Sequence, residues 1–333
     1  MNWIRGFLSN RLQCVVIDRF HSPICLVISG VPQGSVLGPI LFIIYIHDIS
    51  NVCCGDTALL AFADDAKLYS NVTIDNASTS LQHSLDRLVQ WASEWQLTIN
   101  INKCSVLSIS TAAHCPVYFI NGIALPCQNS YVDLGVTITC KLSFKAHISS
   151  IVSKARQRIS ILFRGFVTRN LNIMRQAFVT YIRPILEYDS VVWNPCSVHH
   201  INLIENVQRN FSKRIPSLSS LPYQERLALL DLELLELRRL RFDLIYYFKV
   251  FNNLTPFDPS NVFLIYTPIA SSRSKSPYLQ KPPKASNKML HTLFYRQVDA
   301  WNLLPDVLKF TSSLPVFKRG LKNVDLSQFL KGS

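Results

Sequence analysis

The chain has 333 residues, of which 48% are apolar and 17% charged, and this excludes an intrinsically disordered chain because disorder requires low hydrophobicity. At about 150 residues per domain, the length predicts roughly two domains. The formal net charge is +13, which indicates a polyanionic partner, either nucleic acid or an anionic membrane surface.

The first 140 residues mix short strand patterns with helix patterns. Alternating apolar residues indicate strands, and apolar spacings of three and four residues indicate helices. In chain order they predict two strands within 11–29, a buried helix over 40–49, a hairpin over 58–69, a helix over 78–97, and strand-like segments at 104–109, 117–120 and 131–138.

After Lys141 the apolar spacing changes to the helical period of about 3.6 residues and keeps it. The predicted elements are helices over 148–163, 173–193, 201–215 and 226–251, the last being the longest, then a linker or ordered basic loop over 252–288 and a compact apolar piece over 290–317. This part of the chain is therefore predicted to be mainly α-helical.

The excess of positive over negative charge lies wholly in the helical part of the chain. Residues 1–150 have a net charge of −1, whereas residues 151–250 and 251–333 each have +7. This division predicts a first part whose carboxylates carry chemistry and a second part that holds a polyanion. The alternative left open by charge alone is a set of ordinary solvated helix faces that are basic.

The cysteines and the apolar runs indicate the cellular compartment and the redox state of the protein. Nine cysteines without a Cys-x-x-Cys motif argue against a disulfide framework, which needs an even number. The start has no signal-peptide pattern, and the longest apolar run, 40–46, is far shorter than the ~20 residues that cross a bilayer. We therefore expect a reduced intracellular protein, in the nucleus or a cytoplasmic ribonucleoprotein, without a membrane partner.

Two motifs in the first part could carry chemistry. Asp64 and Asp65 are adjacent carboxylates between apolar strands, where they repel each other unless a cation such as Mg²⁺ holds them. A solvated acidic turn is the alternative, and the apolar flanks weigh against it. Earlier in the chain, Ser29-Gly-Val-Pro-Gln-Gly-Ser-Val-Leu-Gly-Pro39 supplies backbone that a nucleotide or base pair can approach closely.

Together these motifs resemble the reverse transcriptases of non-LTR, LINE-type retrotransposons of the jockey kind. The segment 29–39 resembles the family's template- and nucleotide-positioning segment, and Phe62-Ala-Asp-Asp65 resembles its metal-binding hairpin. Leu97-Thr-Ile-Asn-Ile-Asn-Lys103 resembles the next motif. The segment Leu134-Gly135-Val136 resembles the primer grip. Residues within 181–195, together with Arg238-Arg239, resemble the family's thumb, and residues within 300–318 resemble its usual C-terminal end.

The resemblance implies an RNA-directed DNA polymerase that joins deoxynucleoside triphosphates to a DNA primer on an RNA template, using two Mg²⁺ ions. The resemblance further implies that Asp64 and Asp65 hold the metal ions and that Lys103 protonates the leaving pyrophosphate. An exposed lysine at a strand edge is the alternative for Lys103. The residues expected to position template and nucleotide are Gly30, Pro32, Gln33 and Gly34. The basic residues expected to contact nucleic acid are Lys154, Arg156, Arg158, Arg209, Lys213 and Arg214.

One part of the family's pattern is not found. The family places a third metal-binding aspartate on a strand well before the glycine-rich segment, but only 28 residues precede Ser29. Asp18, the one candidate among them, lies in a context that resembles the strand just before Ser29. The two-metal site is therefore expected to be incomplete, and the chain is expected to be an N-terminally truncated polymerase that is inactive alone. The alternative is a non-catalytic RNA- or DNA-binding remnant that uses its basic helices.

The predicted fold class is α+β, in three parts. A partial polymerase palm, an antiparallel sheet with helices, is expected over 1–140. An α-helical thumb-like domain follows over 141–251, and a basic C-terminal region over 252–333. No oligomeric state is predicted.

Overall fold

The computed structural model describes residues 2–109, 115–266, 278–283, 289 and 291–332. It mixes α-helices with small antiparallel sheets, which confirms an α+β chain at that level. The chain divides into two compact units, which comprise residues 1–129 and 130–333.

Unit 1 combines helices with separate hairpins. Its helices are α1 (Asn2–Leu8), α2 (Leu37–Tyr45) and α3 (Ala77–Glu94), with 3-10 turns at Ile49–Val52 and Ile101–Lys103. Its strands are β1 (Arg11–Gln13), β2 (Val16–Ile17), β3 (Phe20–His21), β4 (Cys25–Val27), β5 (Ala58–Phe62), β6 (Asp65–Tyr69), β7 (Phe119–Ile120) and β8 (Ile123–Ala124). Strand β1 pairs with β4, β2 with β3, β5 with β6, and β7 with β8, so the described strands form two-stranded pairs rather than one sheet.

Unit 1 buries little apolar surface. Its small core packs Tyr118, Ile120 and Leu125 against one face of α3. The helix predicted to be buried over 40–49 is α2, and its Ile40 and Ile44 are 51% and 60% exposed. The prediction of burial was wrong because the described part of unit 1 offers α2 no continuous sheet on which to pack its apolar side chains.

Unit 1 also contains a disulfide between Cys115 and Cys127. The odd number of cysteines led us to expect reduced thiols throughout. That expectation was wrong for this pair, because an odd count excludes only the pairing of every cysteine within one chain.

Unit 2 begins with a hairpin and continues as a helical body. Its strands are β9 (Ser130–Asp133), β10 (Val136–Thr139), β11 (Leu264–Tyr266) and β12 (Tyr278–Gln280), paired β9 with β10 and β11 with β12. Its helices are α4 (Lys145–Gly165), α5 (Leu171–Tyr181), α6 (Arg183–Glu187), α7 (Ser190–Trp193), α8 (Val198–Lys213), α9 (Tyr223–Leu229), α10 (Leu235–Phe251), α11 (Pro259–Val262), α12 (Leu293–Arg296), α13 (Val298–Leu303), α14 (Asp306–Lys309) and α15 (Leu314–Lys322), with 3-10 turns at Pro216–Leu218 and Ser327–Phe329.

Two hydrophobic cores hold unit 2 together. The first lies among α4 to α9 and includes Phe178, Trp193 and Phe211, all almost fully buried. The second lies among α10 to α15 and includes Phe248 and Phe317, whose rings stack 4.3 Å apart. These cores, and not isolated helix propensity, stabilise the helical body, since most helical stability in proteins comes from packing of an apolar face.

Two predicted helices are broken in the structure. The helix predicted over 173–193 is divided into α5, α6 and α7, with Pro184 in the first turn of α6 and Asp189 in the left-handed conformation (φ 50°) before α7. The helix predicted over 226–251 is divided into α9 and α10, and the longest described helix is α4, with 21 residues. The apolar spacing continues across the second break because the turn also buries its leucines, so periodicity alone did not reveal it.

The segment predicted as a linker or basic loop over 252–288 contains α11 and the β11–β12 hairpin. Its residues 267–277 and 284–288 lie outside the described part of the chain. Among the helices that the structure describes, none is both long and apolar enough to cross a bilayer.

Candidate metal and nucleic-acid site

The two adjacent aspartates lie at the tip of the β5–β6 hairpin. Phe62 pairs with Asp65 in the antiparallel register, so Ala63 and Asp64 form the two-residue loop, and Ala63 adopts a φ of 50°. This confirms the predicted hairpin. Both carboxylates are exposed, and neither forms a hydrogen bond or an ion pair within the described residues. The hairpin therefore presents two accessible, unneutralised carboxylates side by side.

Two carboxylates fit a Mg²⁺ ion only in part. Mg²⁺ in phosphoryl-transfer sites is held by one or two carboxylates together with water and substrate phosphates, and the Asp64–Asp65 pair can supply that share. In the part of the chain that the structure describes, no three His, Cys, Asp or Glu side chains are grouped to hold a metal ion. A third protein ligand beside the hairpin is therefore absent from the described residues.

The glycine-rich segment forms the turn that leads into α2. Gly30 and Gly34 have φ values of 73° and 76°, in the left-handed region that favours glycine, and a Cβ at either position would meet no atom within 4 Å. Ser35 Oγ donates to the Pro32 carbonyl (2.6 Å) and accepts from the Gly38 N–H (3.0 Å). The positive φ therefore favours glycine at both positions, and the space that a side chain would occupy there is open to a ligand.

The start of the same segment is held by an arginine of β1. Arg11 Nη2 donates to the carbonyls of Ser29 (3.0 Å) and Gly30 (2.7 Å). Gln33 is exposed and Pro32 is half-buried. The amide of Gln33 is therefore accessible at the turn, whereas the backbone on either side is fixed.

Lys103 ends the 3-10 turn Ile101–Lys103, and its side chain is exposed. Within the described residues, no hydrogen bond or ion pair joins Lys103 to Asp64, to Asp65 or to the glycine-rich turn. The structure therefore exposes the predicted site residues of unit 1, apart from the half-buried Pro32, but does not join Lys103, the aspartates and the glycine-rich turn by direct contacts.

The predicted primer-grip residues form the turn between β9 and β10. Leu134 and Gly135 both have positive φ (44° and 87°), which matches a tight two-residue hairpin loop. Tyr188 Oη donates to the Leu134 carbonyl (3.0 Å), and a Cβ on Gly135 would lie 3.4 Å from Tyr188 Cε1. Val136 is buried in the first core of unit 2. The turn is thus attached to the helical body by the hydrogen bond at Leu134 and by the burial of Val136.

The basic residues predicted on α4 differ in their surroundings. A groove of about 670 Å³ runs along this helix, and Arg156 and Arg164 line it together with Leu203 of α8. Its polar lining also includes Ser149, Ser153, Gln157 and Ser160. Lys154 and Arg158 are exposed but do not line the groove. Hydroxyl, amide and guanidinium donors along one helix face are the groups that contact phosphates.

The basic residues predicted on and beside α8 are mostly used in packing. The guanidinium of Arg209 lies 5.0 Å from the ring centre of Tyr223, and that of Arg214 lies 4.3 Å from the ring centre of Phe163. Lys213 is exposed. Of these three cations, Lys213 is therefore the one without a packing role in the described structure.

One chemically distinctive group was not found from the sequence. Cys54 Sγ lies 3.0 Å from Arg87 Nη1 and 3.3 Å from His83 Nδ1 on α3. The hydrogen bond from Arg87, followed by that from His83, lowers the pKa of the Cys54 thiol. No local motif announces this cluster, because its members are about thirty residues apart and meet only in the folded unit.

The comparisons with known proteins agree with the motifs. Residues 2–141 match the family model for reverse transcriptase (RNA-dependent DNA polymerase). The chain is 30% identical over 223 residues to the RNA-directed DNA polymerase from mobile element jockey of Drosophila melanogaster, and 31% identical over 223 residues to that of Drosophila funebris. It is 28% identical over 226 residues to the probable RNA-directed DNA polymerase from transposon X-element of Drosophila melanogaster. Each alignment covers 64% of this chain and 24% of the relative.

Residues 2–141 therefore belong to the reverse transcriptase family. More particularly, the chain is homologous to the RNA-directed DNA polymerases of the jockey and X-element non-LTR retrotransposons, as the motifs predicted. The chain spans about a quarter of the length of these relatives. No solved structure matches it.

Proposed function

We propose that this chain is part of an RNA-directed DNA polymerase that extends a DNA primer on an RNA template by two-metal nucleotidyl transfer. The observation that carries the proposal is the β5–β6 hairpin, which exposes two unpaired carboxylates inside a segment that matches the reverse transcriptase family. In this assignment, residues 1–140 act as a partial palm, residues 141–251 as a thumb, and residues 252–333 as a basic C-terminal region.

Asp64 and Asp65 are the residues that would hold Mg²⁺, because they place accessible oxygen ligands side by side at the tip of a hairpin. When bound, the metal ions would activate the primer 3′-hydroxyl and neutralise the triphosphate. The turn around Gly30, Gln33 and Gly34 orients the template base and the nucleotide. Lys103 donates a proton to the leaving pyrophosphate, consistent with its exposed, unpaired ammonium in the described structure.

The helical part grips the template–primer in this proposal. Arg156 and Arg164 of the α4 groove supply charge for phosphates, and the serine hydroxyls that line the same groove supply neutral donors. The net charge of +7 over residues 151–250 supports this assignment. Lys213 adds an exposed cation on α8.

We also propose that a polypeptide limited to these 333 residues does not extend a primer. The described residues provide two carboxylates at the hairpin and no third ligand beside them. In addition, the hairpins of unit 1 are two-stranded, and isolated two-stranded hairpins are marginally stable. Both features weaken the hold on two metal ions.

The polymerase proposal is tested with a chimera in which this chain replaces the aligned segment of the jockey polymerase of Drosophila melanogaster. We expect the chimera to extend a primer on an RNA template with Mg²⁺, and we expect Asp64→Ala to abolish extension. Asp75→Ala, an exposed carboxylate of unit 1 outside the hairpin, is the matched control and should retain activity. A folded, RNA-binding chimera without activity, or an active Asp64→Ala chimera, would contradict the proposal.

The isolated chain tests the second part. Purified chain should give no primer extension with Mg²⁺, and extension that Asp64→Ala abolishes would disprove its inactivity. The second candidate function, a non-catalytic nucleic-acid-binding remnant, is favoured by the charge beyond residue 150. It predicts salt-dependent RNA binding that Arg156→Gln with Arg164→Gln weakens and Asp64→Ala leaves unchanged, together with an inactive chimera.

A further inference from the structure

A second groove of unit 2 has no role in the function proposed above. It encloses about 420 Å³ between the α6–α7 segment, α10 and α15. The Lys322 carbonyl of α15 accepts from Arg241 Nη2 of α10 (3.3 Å), which fixes one helix beside the other. We call this the α10 groove. None of the basic residues predicted to bind nucleic acid lines it.

The arginines at one end of the α10 groove are already neutralised. Arg238 makes two hydrogen bonds to the Glu187 carboxylate, Nε to Oε1 (2.5 Å) and Nη2 to Oε2 (3.0 Å). Arg241 is paired with Glu233. These cations hold the helices together and are not available to a ligand.

Three lysines of the same groove are different. Lys249 of α10 and Lys318 and Lys322 of α15 all line it, and none forms an ion pair within the described part of the chain. Lys318 and Lys322 are exposed and lie four residues apart, so they project from the same face of α15. The groove is therefore lined by three lysines that have no ion-pair partner among the described residues, two on α15 and one on α10.

The floor of the α10 groove is aromatic. Phe242 and Tyr246 lie four residues apart on one face of α10, both half-buried, with Ile245 between them. Aromatic rings bordered by lysines bind single strands, since unpaired bases stack on the rings while the lysines contact phosphates. In a duplex the bases are stacked on one another and cannot use such a floor, so the groove favours a single strand.

The α10 groove also adjoins the turn predicted as the primer grip. Asp189 lines the groove, and its neighbour Tyr188 donates to the Leu134 carbonyl in that turn. The turn and the groove are therefore neighbours on unit 2. In an RNA-templated enzyme the unpaired strand near the primer is the template.

We propose that the α10 groove binds single-stranded RNA, with a base stacked on Tyr246 and phosphates on Lys249, Lys318 and Lys322. Phe242 extends the apolar floor, and the Arg238 guanidinium lies over its ring, 5.5 Å from the ring centre. The ligand class of the groove rests on the proposed polymerase function, because that function supplies the RNA template. The contact with phosphate is not sequence-specific, and stacking tolerates any base.

The charge contribution is tested on the full chain by fluorescence anisotropy with a labelled oligouridine of roughly 12 nucleotides. We compare Lys318→Gln/Lys322→Gln with Arg319→Gln/Lys331→Gln, which removes two exposed cations of the same region that do not line the groove. Between about 50 and 200 mM salt, the first pair should reduce the slope of log affinity against log salt by about 1.4, at about 0.7 per lost phosphate contact. The control pair should leave the slope nearly unchanged.

The stacking contribution is tested with Tyr246→Phe and Tyr246→Leu. Tyr246→Phe keeps the ring and should bind like the wild type, whereas Tyr246→Leu should weaken binding roughly 5- to 150-fold, the range for loss of one stacked base. Thermal unfolding of both variants shows whether the helical body is intact. Tyr246→Leu retains apolar packing. A loss of RNA binding in a folded Tyr246→Leu variant therefore shows that the aromatic ring contributes to the affinity.

Several results would overturn the inference. Equal effects of the two charge pairs, or equal binding by Tyr246→Phe and Tyr246→Leu, would remove the groove as a single-strand site. Equal competition by duplex RNA or by a polyglutamate peptide would assign it to duplex or to an acidic protein instead, and tighter binding of oligothymidine would assign it to DNA. Asp64→Ala should leave oligouridine binding unchanged, so a failure of the polymerase proposal in the extension assay is distinguishable from a failure here.

Discussion

The buried ion pair between Asp243 and Arg296 provides the sharpest prediction for stability. Asp243 lies on α10 with no solvent exposure, and Arg296 at the end of α12 is 4% exposed. The carboxylate accepts from Arg296 Nε (2.8 Å) and Nη2 (2.5 Å), and Asn194 Nδ2 also donates to it (2.8 Å). Arg296 Nη2 additionally donates to the Val191 carbonyl of α7 (2.6 Å). The pair thus connects α7, beside the first core, to α10 and α12 of the second.

Replacing Asp243 with alanine should cost about 3–5 kcal/mol of unfolding free energy, because the buried Arg296 guanidinium is left without a counter-charge. The matched control is Asp299→Ala. Asp299 pairs with Lys281, and the two side chains are 65% and 38% exposed, so solvent screens the pair. Its removal should cost less than about 1 kcal/mol.

The assay is urea unfolding of the full chain followed by tryptophan fluorescence, since Trp193 and Trp301 are buried in the two cores of unit 2. Asp243→Asn should fall between the wild type and Asp243→Ala, because the amide keeps part of the hydrogen bonding but not the charge. Equal losses for Asp243→Ala and Asp299→Ala would refute the reasoning that burial decides the size of the effect.

Two further predictions follow from pKa values. Burial, and secondarily Lys154, lowers the pKa of His147, whose Nδ1 accepts from the Thr137 N–H (3.2 Å). The stability from neutral His147 is therefore fully present above the ordinary histidine pKa of about 6.5 and is lost as the pH falls below it toward the lowered pKa of the folded state, by at most about 1.4 kcal/mol per pH unit for one proton. Urea unfolding of His147→Gln should show a weaker pH dependence, and an unchanged dependence would contradict the assignment. For Cys54, whose pKa Arg87 and His83 lower, alkylation by iodoacetamide should begin at lower pH than for Cys53, whose pKa burial raises. Rates measured in Cys53→Ser and Cys54→Ser variants should show this order, and Arg87→Gln should narrow the difference between them, since it removes the largest cause of the lowered Cys54 pKa.

The sequence predicted the features that depend on neighbouring residues. An Asp-Asp pair between two apolar runs is sufficient to predict the β5–β6 hairpin, because the strands and the turn lie in one continuous segment. Glycines with positive φ likewise belong to the short segment before α2. The family assignment also rests on such local motifs, so it needed no tertiary information.

The sequence could not predict features that depend on tertiary packing contacts. Periodicity gave the buried face of α10 but not the break at Leu230–Leu234, since leucines are buried on both sides of it and within it. The sequence predicted Arg209 and Arg214 as nucleic-acid contacts but gave no indication that their guanidiniums lie over the rings of Tyr223 and Phe163. A cation's availability is decided by its partners, and those partners come from other helices.

The sequence by itself determined the reverse transcriptase match of residues 2–141, the carboxylate hairpin and the location of the excess charge beyond residue 150. The tertiary structure decided which of those charges are free. It paired Arg238 and Arg241 with carboxylates, and it placed Arg87 beside Cys54. It left Lys249, Lys318 and Lys322 without an ion pair among the described residues, in a groove that also contains aromatic rings. The physical reason is that charge is a property of a residue, whereas pairing and burial are properties of the residues that folding brings around it.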